Sequence, residues 1–332
     1  MSRTKTFRIH LSKGLPALLA VCIAAIALPS AAQPAWKPDK TVEIVVTAGP
    51  GGGNDRNARL MQKIWQEAKL LDNVVVQNKA GAGGALAYTY TNQTPGDGHR
   101  IVIARTGLIS NNILGLSPLS YTDMTPIALM GFQAMSLVVR GDSGIRNVKD
   151  LVARWKTDPQ SVSISLGGTR GSATHFVPAL IAKAVSVDPQ KLKTLTFTGA
   201  SDSLVALLGG HIDMMATSLP VEPHKSGKVK VIGVATEKRS DILPDVPTMK
   251  EQGFDVVVPS WTAIVGPKGL SAAQVAYWEG MLEQIAKSES WKQDLAKEAI
   301  ETVFLKSQAT REFLARDHQM TRGVLVDLGM AK

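Results

Sequence analysis

Cysteine is nearly absent: Cys22 is the only one among 332 residues, and it sits inside an apolar run close to the start. Once that run is removed, neither a disulfide framework nor a thiolate metal site can exist, so stability must come from an apolar core. Aromatic residues make up only 5% of the chain, and its lysines and arginines occur singly or in pairs. This is not the clustered basic footprint of a nucleic-acid binder. Long hydrophobic runs are missing too. The longest, Leu15–Leu28, has about 14 residues, against the ~20 that a membrane-crossing helix needs.

Catalytic signatures are equally scarce. No nucleotide phosphate loop is present, because the glycines ending at Gly53 continue as Asn54-Asp55 where a lysine and a hydroxyl should stand. Gly81-x-Gly83 falls short of the dinucleotide fingerprint, since Leu86 occupies the third glycine position. There is no H-E-x-x-H helix and no G-x-S-x-G elbow. His99, His175, His211, His224 and His318 show no metal-ligand spacing among themselves. The expectation is a protein with no metal, no cofactor and no catalysis of its own.

What the beginning does carry is an export signal. Arg3, Lys5, Arg8 and Lys13 form a basic leader, the apolar run follows, and Ser30-Ala31-Ala32 supplies small residues for a signal peptidase. Residues 1–32 are read as a signal peptide and the mature protein as periplasmic. A lipoprotein is disfavoured because Val21 precedes Cys22 in mid-run. The leader holds four of the 37 basic residues and none of the 28 acidic ones, so the mature chain has 33 against 28, a net +5. Such a mild positive field helps attract a small anion. About 300 mature residues exceed what one core usually serves, which predicts two domains.

Val42–Thr47 reads as a strand that empties through Gly49, Gly51, Gly52 and Gly53 into an amphipathic helix with Ala58, Met61, Trp65 and Ala68 on one face. Bare amides at a helix start favour an anion, and outside the cytosol a free carboxylate is the expected one. Strand and helix signals alternate onward: Asn73–Gln77 then Ala85–Asn92, Ile101–Ala104, Ser161–Ser165 then Ala173–Val185, Thr194–Phe197 then Asp202–Leu208, and Val229–Ala235. This predicts parallel α/β units, closed by helices from Ser271, an N-cap, to about Lys287 and from Thr310 to Leu325. Ligands of open α/β sheets sit at the carboxyl ends of strands. Four glycine-bearing turns lie there: Gly49–Asp55, Lys79–Gly84, Gly167–Ser172 and Gly199–Asp202. Within the third, Arg170 could grip a carboxylate through two parallel bonds. Ser172 and His175 look like a nucleophile and base, but an N-cap serine with a packed histidine behind it is the stronger reading. Trp261 is read as core.

Gly49–Asp55 with Ala58-Arg59, Gln77–Gly84, Asp123-Met-Thr-Pro-Ile-Ala128, Gly171-Ser-Ala-Thr-His175, Leu207-Leu-Gly-Gly-His-Ile-Asp213 and Leu243-Pro-Asp-Val-Pro-Thr248 with Glu251 and Gly253 together resemble the Bug family. These are the TctC-type periplasmic receptors of tripartite tricarboxylate transporters. The resemblance implies an α/β fold of two Rossmann-like domains around a ligand cleft, of the periplasmic binding protein type II kind. Domain 1 would be residues 33–132 plus 258–332, and domain 2 residues 133–257. It further implies a monomer that binds a small organic carboxylate and hands it to membrane transporter subunits, with no nucleic acid and no membrane insertion of the mature chain.

Carried onto this sequence, the ligand-binding residues would be Gly51, Gly52, Gly53, Asn54, Asp55, Ala82, Gly83, Gly84, Thr169, Arg170, Ser172, His175, Thr198, Gly199 and Asp213. Where the family commonly has a tyrosine-lysine-glycine run, this chain has Phe197-Thr198-Gly199, and Gln77 and Lys79 replace the more usual Glu and Arg. The rival reading is an exported hydrolase or isomerase using Ser172, His175 and Asp202. N-terminal sequencing of the exported protein should find Gln33 first; a start inside Leu15–Leu28 or a lipidated Cys22 would contradict the leader assignment.

Overall fold

The structure is a computed structural model that describes Met1 and residues 36–166, 170–197 and 200–332. The expected leader beyond Met1, together with Thr169, Thr198 and Gly199, lies outside the described residues. Trp36–Lys332 gathers into one compact unit.

The first strands and helices are β1 (Val42–Val46), α1 (Gly53–Glu67), β2 (Val74–Asn78), α2 (Ala85–Thr91), β3 (Arg100–Ala104), α3 (Gly107–Ile113) and β4 (Met124–Gln133). There follow β5 (Met135–Arg140), α4 (Val148–Thr157), β6 (Ile164–Leu166), α5 (Ala173–Ala184), β7 (Thr194–Thr196), α6 (Ala200–Leu208), β8 (Met214–Ser218), α7 (Val221–Lys225) and β9 (Val229–Val234). The chain closes with β10 (Ser260–Pro267), α8 (Ala272–Lys287), α9 (Glu289–Lys297), β11 (Ile300–Lys306) and α10 (Ser307–Asp327).

Two sheets result, one ordered β11-β4-β10-β3-β1-β2 and the other β7-β6-β8-β5-β9. The expected parallel units are present, since β1 pairs with β2 and β3, and β6 with β7 and β8, all parallel. Both sheets are nevertheless mixed. β10 runs antiparallel between β3 and β4, and β5 runs antiparallel between β8 and β9. Strand periodicity does not find β4, whose span includes Pro126 and Gly131, residues that read as turn formers. Only the long-range pairing with β10 and β11 makes it a strand. The chain leaves the first sheet at Gln133, enters the second at Met135, and returns between Val234 and Ser260.

β1 is covered on both faces, so its side chains alternate between two cores. Ile44 and Val46 join Met61, Trp65, Trp278 and Leu282 on one side, whereas Val45 joins Val102, Ala104 and Leu108 on the other. That second core runs without a break into Leu137, Trp155 and Phe176 of the other sheet and into Leu314 and Leu325 of α10. The last helix thus ties the two sheets together. Lys183 of α5 pairs with Asp327 at its end. Ser271 caps α8 in a full capping box with Gln274, as its sequence predicts.

The buried stripe of α10 contains two polar residues, Asp317 and Thr321. The fully buried Trp261, core as expected, donates Nε1–H to Asp317 Oδ2 at 2.9 Å. Asp317 Oδ1 has no partner among the described residues. Burial pushes this carboxyl up to about 6 from 3.8, against the opposing bond from Trp261. A raised folded-state pKa means stability that is full below the unfolded pKa and is lost as pH rises toward 6. The charged form then costs about 3 kcal/mol. Asp317→Asn keeps the acceptor for Trp261 and removes the charge. Thermal melts should show it more stable than the parent at pH 8, by up to about 3 kcal/mol, and little changed at pH 4.

Candidate functional site

At the carboxyl edge of the first sheet three turns meet, after β1, β2 and β3. Gly49–Gly53 leads into α1, whose N-cap Gly52 carries no side-chain cap, so the amides of the first turn stay bare. Asp55, almost fully buried, holds this turn in shape. Its Oδ2 accepts from Gly51 N–H and from Arg59 Nε, both at 2.9 Å, and its Oδ1 accepts from Asn78 Nδ2 at 2.9 Å. The Arg59 bond, with help from Gly51 and Asn78 and against burial, pulls its pKa down to about 2. Asn54 donates to Thr47 Oγ1 at 2.9 Å. Asn78 also donates to Ala48 O at 3.0 Å, which ties the end of β2 to the start of the first turn.

The second turn is left-handed throughout: Gly81, Ala82, Gly83 and Gly84 all have positive φ. Asn111 of α3 fastens it by donating to both Ala82 O and Gly83 O at 3.1 Å. Gly83, at φ 61°, could not carry a side chain freely, because a Cβ would stand 2.8 Å from Asn111 Oδ1. The third turn comes closer still. A Cβ on Gly107 would lie 2.2 Å from Gly83 O, so only glycine lets α3 begin against the second turn.

Sequence reading lists three glycine turns beyond the first but passes over this one, Ala104-Arg105-Thr106-Gly107, and with it Arg105. That side chain donates Nε–H to Asn54 Oδ1 at 3.0 Å and Nη1–H to Gln133 Oε1 at 3.2 Å, while its backbone N–H reaches Tyr88 Oη at 3.3 Å. Burial lowers its pKa, though an arginine keeps its charge. The available signal was a lone charge directly after an all-apolar strand, at the edge where ligands sit.

The structure therefore brings together Gly51, Gly52, Gly53, Asn54, Asp55, Ala82, Gly83 and Gly84. Asp55 faces inward as a brace, its carboxylate spent on three donors. Ser172 and His175 belong to the second sheet, after β6. Ser172 stands at the N-cap position of α5, but its hydroxyl bonds Thr174 Oγ1 at 2.8 Å and caps nothing. His175 accepts Gly171 N–H on Nδ1 at 3.1 Å, and burial, with the Arg170 charge, pushes its pKa down to about 4. It holds the loop from behind. Arg170 is exposed and donates to Thr194 Oγ1 at 3.3 Å. Gly171 lies against Leu114 and Leu325, so this turn does face elements packed on the first sheet.

Asp213 needs correction as a ligand residue. It precedes β8 and accepts from Ser163 N and Oγ, at 2.8 and 2.5 Å, just before β6. That is the amino edge of the second sheet, opposite the turns, where it ties two strand starts together. The rival enzyme finds no support in the geometry: Ser172 and His175 share no side-chain bond among the described residues, and Asp202 is exposed on α6. Nor does any cluster of three metal-ligating side chains occur among those residues. A cavity of about 340 Å³, lined by Phe132, Gln133, Thr236, Val258 and Ile300, lies on the β11 side of the strand crossings and shares only Gln133 with the site.

With this geometry in view, the chain can be set beside known proteins. The profile of the tripartite tricarboxylate transporter family receptor, TctC, matches residues 58–330. Protein BugT of Bordetella pertussis is 27% identical, over 93% of this chain and 95% of its own. The solved periplasmic binding protein BugD is 26% identical with a TM-score of 0.75, covering 89% of this chain and all of that one. An R. palustris protein solved with adipate is 24% identical with a TM-score of 0.76, covering 89% and 99%; at that identity the likeness speaks for the fold alone.

If the three turns depend on close backbone approach, Gly107→Ala should lower stability by about 1–3 kcal/mol in urea unfolding. Gly53→Ala is the control: a Cβ there meets nothing within 4 Å, and the change should stay within about 0.5 kcal/mol.

Proposed function

The chain belongs to the tripartite tricarboxylate transporter receptor family, and from that membership we propose that it works in the periplasm as a monomeric receptor that holds one small organic carboxylate between its two sheets. The observation that carries this reading is the convergence of three turns, after β1, β2 and β3, at one sheet edge. Backbone amides at turns held by Asp55 and Asn111 suit a carboxylate.

In this reading residues 33–132 with 258–332 form one domain and 133–257 the other, joined by the crossings beside Gln133 and Ser260. The turn Gly167–Ser172, with Thr169 and Arg170, and Thr198-Gly199 meet the ligand from the second domain. The two halves close on it, because a ligand touching both selects the closed arrangement. The closed receptor then delivers its solute to membrane subunits of the transporter and performs no chemistry. Among the described residues no helix is long and apolar enough to cross a membrane.

A thermal-shift screen over di- and tricarboxylates, amino acids and aromatic acids should find one class that stabilises the protein. At about 100 times its dissociation constant a ligand adds about 2.7 kcal/mol. NMR of the recovered solute should show it unchanged and bound at one equivalent. A solute returned as a different compound would instead make the protein an enzyme.

A further inference from the structure

The two arginines at the ends of β3 are treated differently by the fold. Arg100, at the amino end, donates Nε–H to Glu43 Oε2 at 3.0 Å, an ion pair. Arg105, just past the carboxyl end, is half-buried and has only neutral partners, the side-chain amides of Asn54 and Gln133. Those two bonds use two of the five N–H donors of a guanidinium. The Nη2 amino group finds no acceptor among the described residues. Every Asp and Glu of the chain falls within those residues, since the undescribed segments contain none. No carboxylate makes an ion pair with Arg105.

A partly desolvated charge without a counter-ion carries a cost that an apolar side chain filling the same space would not. Asn54 and Gln133 orient the guanidinium without neutralising it. They fix it across the carboxyl edge of the first sheet: Asn54 follows β1, on one side of β3, and Gln133 ends β4, on the other side beyond β10. This is the edge at which the glycine turns gather.

We propose that Arg105 is the charged contact of the receptor site: its free guanidinium edge takes a carboxylate of the solute, which supplies the counter-ion that the fold withholds. The proposal rests on the receptor reading above and adds the residue that sets its selectivity. Backbone amides accept any electronegative oxygen. An unpaired guanidinium, by contrast, penalises amides and alcohols of the same shape, because they would bury it without compensating its charge. The solute class is thus an ionised carboxylate, with one anionic end seated on the first sheet between Asn54 and Gln133.

Calorimetry with succinate, adipate, citrate and benzoate as probes tests this on the parent protein and three variants. Arg105→Gln keeps a hydrogen-bonding amide but loses the charge. The expected result is a loss of about 100-fold or more in affinity for whichever probe binds the parent, with an unfolding midpoint without ligand no lower than the parent's. Arg105→Lys restores the charge and should recover about tenfold of that loss, a rescue that a bracing role alone would not give. Gln133→Glu leaves Arg105 in place and puts a carboxylate beside Nη1. It should raise the ligand-free midpoint and weaken binding, so the idea stays testable even if Arg105→Gln misfolds. If Arg105→Gln and Gln133→Glu bind the probe within about threefold of the parent, the anchor is wrong and the receptor reading stands. If the parent binds none of the four, the wider solute screen decides the receptor reading, and an uncharged solute found there overturns the anchor.

Discussion

The carboxylate of Asp55 joins three separate pieces of chain: the Gly51 amide in the first turn, the Asn78 side chain at the end of β2, and Arg59 one turn further along α1. A glycine loop loses more backbone freedom on folding than any other sequence. Recognition through backbone amides works only if that freedom is removed before the ligand arrives. Asp55 does this from behind the loop, through the Gly51 amide. Its folded pKa of about 2, from 3.8, corresponds to about 2 kcal/mol. That stability is present above about pH 4 and is lost as pH falls through 2. The second and third turns are then built on the first, through Asn111 and through the contact that only Gly107 permits.

Charge shielded from water, fully or in part, is used in two opposite ways around this frame. Asp55 is saturated with donors, so it is ionised and structural. Arg105 receives only neutral acceptors and keeps part of its hydrogen-bonding capacity. Asp317 is a third case, a carboxyl with one indole donor that burial biases toward its protonated form. It lies on α10, the helix that links the cores of both sheets. The count of partners, not the residue type, separates a brace from a site. His175 follows the same rule, since its acceptor nitrogen is already occupied by Gly171 N–H and it serves the loop.

The strand-glycine-helix unit at Val42–Trp65, the parallel units around β6, the capping box at Ser271 and the burial of Trp261 could all be read from the amino-acid order. Each depends on periods of two or 3.6 residues or on a cap at fixed offset, which are local properties. The family could be read as well, because its motifs recur in order along the chain. The antiparallel insertion of β10 between β3 and β4 was not legible, nor were the far-edge position of Asp213, the inward turn of Asp55 and the isolation of Arg105. Whether a strand pairs left or right, and whether a charge meets a partner 28 or 51 residues away, as Arg105 meets Gln133 and Asn54, is decided when the sheets assemble. The sequence on its own determined the parallel strand-turn-helix units and pointed to their junctions as the place for an anion. Tertiary structure alone decided which arginine would seek it, because a charge is free or spent only in relation to the side chains packed around it.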